Sequence, residues 1–227
     1  MADLTEHRVA ALAAELHRET GEGTTALAIV QRTRELIGSA DHVSITLRRK
    51  RHSYRTLAST SELADTLDGL QYTLKEGPCV QATEENAWTR SGELQHDSRW
   101  QTWGPRAHDL SARSALSVCL VSRLETIGAL NMYSTTARQF QDPAEIDAAV
   151  LWASHAANAI AHVQRVEGLE SAVTSRHIIG VAQGILMERF DLDLDRAFSL
   201  LARLSSTRNE KVRDVAAEIA RTGQLPE

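Results

Sequence analysis

The sequence predicts an α+β protein: an antiparallel sheet with flanking helices, a long connecting helix, and a small three-helix segment at the C-terminus. Three observations carry this. Residues 43–47 read as a strand by β-branched alternation, 54–59 as its return strand, and 114–121 and 127–134 as two central strands joined by a short loop. Trp152, Ala156, Ala159, Val163, Val166, Leu169 or Glu170, and Val173 recur at steps of four and three, a helical seam. From Arg176 onward the apolar period stays helical but is broken twice by turn residues.

The elements follow in order. Residues 4–19 carry Leu4, Val9, Leu12, Ala13 and Leu16 at helical spacing, with Gly21 and Gly23 closing the segment. Thr24 or Thr25 opens a second helix through Leu27, Val30, Arg34 and Ile37, ended by Gly38. Strand 43–47 runs into Arg48-Arg49-Lys50-Arg51-His52, a basic run that reads either as a solvated hairpin end or as a nucleic-acid patch, and residues 54–59 return. Lys75-Glu76-Gly77-Pro78-Cys79 is a tight turn into a short helix, and residues 114–121 and 127–134 form two central strands. Asp142-Pro143-Ala144-Glu145 has the acceptor, the proline and the acid of a helix start.

This order of helix, strand pair, E-G-P-C turn, S-A-L-S-V strand, G-A-L-N strand and D-x-x-E helix resembles a GAF domain over residues 21–164, after an N-terminal helix at 1–20. The resemblance implies a sensory or dimerisation module with a possible small-molecule pocket over one sheet face. Cys79, His96, Trp100 and Trp103 are the side chains to consider near such a pocket. Each also reads plainly: Cys79 as a buried turn residue, the tryptophans (with Trp88) as core or loop packing, His96 as surface loop. No residue calls for a cofactor, the pocket residues are unknown, and the nine scattered histidines make no metal cluster.

The connector predicts one helix from about Pro143 to Phe190, roughly 70 Å long. Its seam suits a two-stranded coiled coil or a helix packed in an intramolecular bundle. Asp193 or Asp191 caps the next helix, which holds Ala197, Phe198, Leu201 and Leu204. Thr207-Arg208-Asn209-Glu210 reads as a capping box for the last helix, whose Val212, Val215, Ala216 and Ile219 face inward, and Gly223 ends it. Phe190 and Phe198 are expected to be the largest members of this small core.

The segment 176–190 is the most informative. Gly180 and Gly184 lie in a helix with Arg176, Gln183 and Met187 on their side; Ile178, Val181, Ala182, Ile185 and Leu186 make the stripe facing the core. Each glycine costs roughly 1 kcal/mol against alanine, so two on one face suggest that something approaches the backbone. A close helix crossing explains the spacing equally well. The run from Leu169 to Met187, ending in G-I-L-M, resembles the first helix of the ANTAR family of bacterial RNA-binding antitermination domains. The resemblance continues through Ala197, Phe198, Leu201, Ser205, Asn209, Lys211, Arg213, Val215 and Ala216, and covers residues 165–227. The family often has lysine where this chain has Gln183.

The resemblance implies an RNA-binding regulator of transcription termination that takes paired hairpin loops as a homodimer, one loop per subunit. Its RNA-binding residues would be Arg176, Gly180, Gln183, Gly184, Met187, Ser205, Asn209, Lys211 and Arg213, with Arg203 and Arg208 added on charge. Arg213 has Asp214 or Glu210 as competing partners.

Composition bounds the alternatives. The 227 residues have the make-up of a globular chain at net charge −5, and residues 165–227 hold nine Lys or Arg against ten Asp or Glu. That balance weakens a duplex-DNA reading more than an unpaired-RNA reading, because loops are read on base edges and by stacking. No run is long enough to span a membrane. Two distant cysteines and an N-terminus without a signal-peptide pattern suit the cytoplasm. No nucleophile–base pair stands out, so binding rather than catalysis is expected. The alternative is a GAF-based sensor whose C-terminal helices bind a protein partner or DNA.

Overall fold

The computed structural model describes residues 2–16, 19–49 and 53–225. His17 and Arg18 of the first expected helix, the packing of Leu4, and Lys50, Arg51 and His52 of the basic run lie outside the described residues. The chain divides into two compact units, Met1–Gln164 and Arg165–Glu227.

The first unit is built on a five-stranded antiparallel sheet in the order β2-β1-β5-β4-β3. Its strands are β1 (His42–Arg49), β2 (Ser53–Ser59), β3 (Trp88–Ser91), β4 (Ser114–Ser122) and β5 (Glu125–Ser134). The helices are α1 (Ala2–Leu16), α2 (Glu22–Leu36), α3 (Glu62–Leu74), α4 (Pro78–Glu85), α5 (Trp103–Asp109) and the first half of α6 (Pro143–Phe190). Alternation along the strands gives the sheet two unlike faces. Val43, Ile45 and Leu47 of β1, Leu116, Val118 and Leu120 of β4, and Leu130 and Met132 of β5 join Ile29 and Val30 of α2 and Trp152, Ala156 and Ile160 of α6 in one apolar core. The intervening residues, Ser44, Thr46, Ser117, Asn131 and Tyr133, are polar and equally buried.

Details of the core follow from local chemistry. Trp152 donates its indole N–H to Thr33 Oγ1 at 2.8 Å, so the largest side chain under the sheet has its one polar atom paired. Gly128 faces Leu47 and Leu120 at the centre of three strands, and a Cβ there would strike the Thr46 carbonyl. β4 and β5 join through Arg123 and Leu124, both at positive φ (52° and 67°), the two-residue turn whose twist matches a hairpin.

Several expectations are corrected. α2 begins at Glu22 and takes Gly23 into its first turn, rather than opening at Thr24 or Thr25. α3 was not anticipated; Ser61 caps it by accepting the Ala64 N–H, and Lys75 closes it in the left-handed region. Glu145 does not complete a capping box: its carboxylate accepts the Ser39 backbone N–H and hydroxyl, while Asp142 accepts the Ala144 N–H. Trp88 is not core but 44 % exposed. The seam on α6 divides. Trp152, Ala156, Ala159 and Val163 are buried within the first unit, whereas Val166, Leu169 and Val173 are exposed.

Candidate nucleic-acid interface

The second unit consists of the end of α6 with α7 (Leu194–Arg208) and α8 (Val212–Thr222). Ala182, Leu186, Ala197, Leu201, Val215, Ala216 and Ile219 form its core. Asp193 caps α7 by accepting the Arg196 N–H. Asn209, at φ 53°, ends α7 in the left-handed conformation that asparagine tolerates. The expected capping box at 207–210 is therefore wrong: Thr207 and Arg208 belong to the last turn of α7, and Thr207 Oγ1 donates back to the Arg203 carbonyl. Lys211 precedes α8 without a side-chain cap, and Gly223, φ 67°, closes it.

Topology places the ends. The Arg189 guanidinium donates to the Gly223 carbonyl, so α8 finishes beside the end of α6. α7 leaves that same end and covers about 22 Å at 1.5 Å per residue. The turn with Asn209 and Lys211 therefore lies a helix length away from the end of α6 at Phe190.

The glycine face is open. A Cβ built on Gly180 or Gly184 meets nothing within 4 Å, so no neighbouring helix of the same chain seals it. Arg176, His177, Gly180, Val181 and Gly184 are all exposed. The expected inward stripe is turned, however. Ala182 and Leu186 are buried, Ile178, Ile179 and Ile185 are partly so, and Val181 stands 41 % exposed. Met187 packs against the core instead of standing clear on the glycine face. Gln183 bridges the helices, its amide donating to the Leu194 carbonyl at 3.2 Å.

The remaining predicted residues separate into free and engaged. Lys211 and Arg203 are exposed. Ser205 Oγ donates to the Glu210 carbonyl, which fixes the α7–α8 turn. Arg208 clamps that turn onto α8 through Glu210 at 3.3 Å and Glu218 at 3.2 Å. Arg213 pairs with Asp214 at 3.2 Å, the competition foreseen from the sequence.

Two aromatic residues change place. Phe198 and Phe190, expected in the core, are 46 % and 42 % exposed. Phe198 lies one turn after the exposed Leu194 on the same edge of α7. Phe190 lines a separate cavity of about 530 Å³ with Leu192, Arg196, Leu200, Arg203 and Leu225. Helical spacing alone holds the signal that was missed: Phe198 follows Ala197, which takes the inward position.

The polar sheet face of the first unit is the other place where chemistry gathers. Asp68 of α3 is buried and accepts from Tyr133 at 2.6 Å, Thr56 at 2.8 Å, Asn131 at 3.2 Å and Tyr72 at 3.3 Å. Burial raises its pKa despite these donors. Burial and the nearby Asp68 push the Cys79 thiol up to about 12, opposite to what a nucleophile needs. Gln71 joins the layers by accepting the Cys79 N–H and donating to Tyr133. Where a ligand pocket was expected, these side chains satisfy one another. Trp100 and Trp103 are buried nearby, edge to face at 5.8 Å, whereas His96 is exposed. Among the described residues no cluster of His, Cys, Asp or Glu suits a metal, and no helix is long and apolar enough to cross a membrane.

Comparison with known proteins agrees with this division. Residues 19–161 match the GAF domain family and residues 167–219 match the ANTAR domain family. No curated protein matches the chain. Among solved structures, the GAF domain of a phosphoenolpyruvate-protein phosphotransferase from Coxiella burnetii is similar at 18% identity and TM-score 0.59, covering 74% of this chain and 98% of that one. A bacteriophytochrome from R. palustris is similar at 13% identity and TM-score 0.62, over 90% of this chain and 46% of that one. Free methionine-R-sulfoxide reductase from Neisseria meningitidis is similar at 16% identity and TM-score 0.53, over 73% and 93%. At these identities the likeness is one of fold.

Proposed function

We propose, from the premise that this chain belongs to the GAF domain family and carries an ANTAR domain, that it is an RNA-binding antiterminator acting as a homodimer on paired hairpin loops. The observation that supports this best is the open face at Gly180 and Gly184, where a helix presents bare backbone instead of packing it. An unstacked base or its sugar–phosphate fits against such a surface. Arg176 and Lys211, both exposed, supply cations for phosphate. Gln183 supplies a base-edge contact once released from Leu194. Phe198, exposed on α7, offers a stacking platform worth about 1–3 kcal/mol per base. Arg208, Asn209 and Ser205 support the turn that carries Lys211; their contribution is to hold its shape. The GAF domain serves as the sensory module. Its polar face is satisfied internally, so a small-molecule ligand would have to replace hydrogen bonds around Asp68.

Gel-shift titration with a tandem-hairpin RNA, its single hairpins and duplex DNA tests the reading. Tandem hairpins should bind tightest, and Gly184→Gln should abolish binding while leaving the thermal transition level or slightly raised, since its side chain enters open space. Equal affinity for all three nucleic acids, or none for any, overturns it.

A further inference from the structure

The cavity at the end of α6 is not used by the glycine face. At about 530 Å³ it has the size of a small-ligand site. Phe190 and Leu225 line it while exposed, and Leu192 and Leu200 are partly buried there. Its C-terminal wall is tied in place: Arg189 donates to the Gly223 carbonyl, and Thr222 Oγ1 accepts the Gln224 N–H at 3.1 Å.

The other wall is a row on α7. Arg196, Ser199, Leu200 and Arg203 follow at three, four and seven residues and so share one side of the helix. Leu200 comes two residues after Phe198, which puts this row on the opposite side of α7 from that ring, with the buried Ala197 and Leu201 between them. The cavity is therefore a second place, not an extension of the Phe198 platform. Its polar atoms are available. Among the described residues neither the Ser199 hydroxyl nor the Arg203 guanidinium has a partner, whereas Thr207 and Thr222 of the same unit donate back to carbonyls four residues earlier. Arg196 has only the exposed Asp193, at 3.4 Å. The row itself carries no acid, and its two arginines are about 10.5 Å apart along the axis.

An aromatic ring among aliphatic side chains accepts a flat ring; a free hydroxyl can bond its edge; cations at both ends of the row call for a ligand charged on both sides of that ring. One nucleotide within a strand has this make-up, with a phosphate before and after its base. A free mononucleotide has a single phosphate and satisfies half of it. We infer that the Phe190 cavity receives one extruded base of the hairpin loop, with Arg196 and Arg203 on its flanking phosphates. This rests on the proposed RNA-binding role and adds a base site to it. Loop nucleotides are already unstacked, so entry costs them less than it costs a paired base, and the cavity favours hairpin loops over duplex. With its side chains α7 is about 10 Å across, a width that a loop of several nucleotides covers to reach both Phe198 and Phe190.

Titration of the full chain with tandem-hairpin RNA at several salt concentrations tests the inference, with thermal melts to show that each variant is folded. Phe190→Leu keeps an apolar side chain and removes the ring. It should weaken binding about five- to hundredfold and leave the salt dependence unchanged, and Phe190→Tyr should restore affinity. Arg203→Gln should weaken binding and lower the slope of log affinity against log salt by about 0.7. In hairpins made abasic at one loop position at a time, a single position should lose its sensitivity to Phe190→Leu. Adenosine and uridine monophosphate should bind far more weakly than the hairpins. Hairpin binding unchanged by Phe190→Leu and Arg203→Gln, equal sensitivity to Phe190→Leu at every abasic position, or a cavity that takes free mononucleotide while hairpin binding ignores Phe190, overturns the inference. If Gly184→Gln leaves binding intact and Phe190→Leu removes it, the base site stands and the glycine face fails. The reverse pattern keeps the RNA-binding role and removes the base site, and a native chain that binds no hairpin overturns both.

Discussion

Asp68 is the residue whose chemistry most departs from its surroundings. Its native pKa is raised by burial, so the folded state holds a proton more tightly than the unfolded chain does. Its contribution to stability is full below about pH 4 and declines as pH rises through the raised native value. Asp41 and Glu76 act oppositely. For Asp41, burial pushes upward, but the Thr135 N–H and the Ser134 and Thr135 hydroxyls outweigh it; for Glu76, the Trp103 and Thr102 N–H groups dominate. Their contributions are lost as pH falls below about 4. Asp68→Asn should therefore flatten the decline of the GAF domain's melting temperature with rising pH. Parallel melts of both proteins, followed by circular dichroism, check this; identical slopes would place the proton elsewhere. Phe198 makes a second point at this scale. Since it is half exposed, Phe198→Ala should cost much less stability than the 3–5 kcal/mol typical of a core aromatic, yet weaken hairpin binding by about 1–3 kcal/mol. Chemical denaturation and RNA titration on one sample separate the two effects.

Among the elements, α6 matters most. Its residues 149–163 include the core positions Trp152, Ala153, Ala156, Ala157 and Ile160, while those in 165–174 are all exposed. Hydrogen exchange measured by mass spectrometry should be faster in the second stretch than in the first; equal rates would mean that the exposed stretch is held as firmly as the core. Much of this element was legible in sequence because its period is long and unbroken. The central strands were legible because each is a short apolar run between polar turn residues, although the run did not reveal that one of its faces is buried on polar groups. α3 escaped notice, since nothing in E-L-A-D-T-L-D-G-L shows Asp68 pointing inward. The capping-box error at Thr207 has a physical root: T-x-x-E is permissive, and an asparagine able to adopt positive φ turned the same residues into a helix end. Phe190 and Phe198 were misplaced because hydrophobicity predicts burial only where the helix phase agrees. In the candidate site, the bare face could be read from two glycines, but the pairing of Arg208 and the bridge from Gln183 needed three helices in place.

At the scale of the whole molecule, two units with separate cores share one helix. The GAF unit is the larger and holds a sheet buried on both sides; the ANTAR unit has a small core of aliphatic side chains with its aromatics left at the surface. All four tryptophans, at 88, 100, 103 and 152, and all three tyrosines, at 54, 72 and 133, fall in the first unit. The second is therefore dark above the phenylalanine absorption band. Intrinsic emission excited at the indole band is a private channel for the GAF unit, and a single tryptophan introduced beyond Gln164 in an otherwise tryptophan-free background would give the other unit a voice of its own.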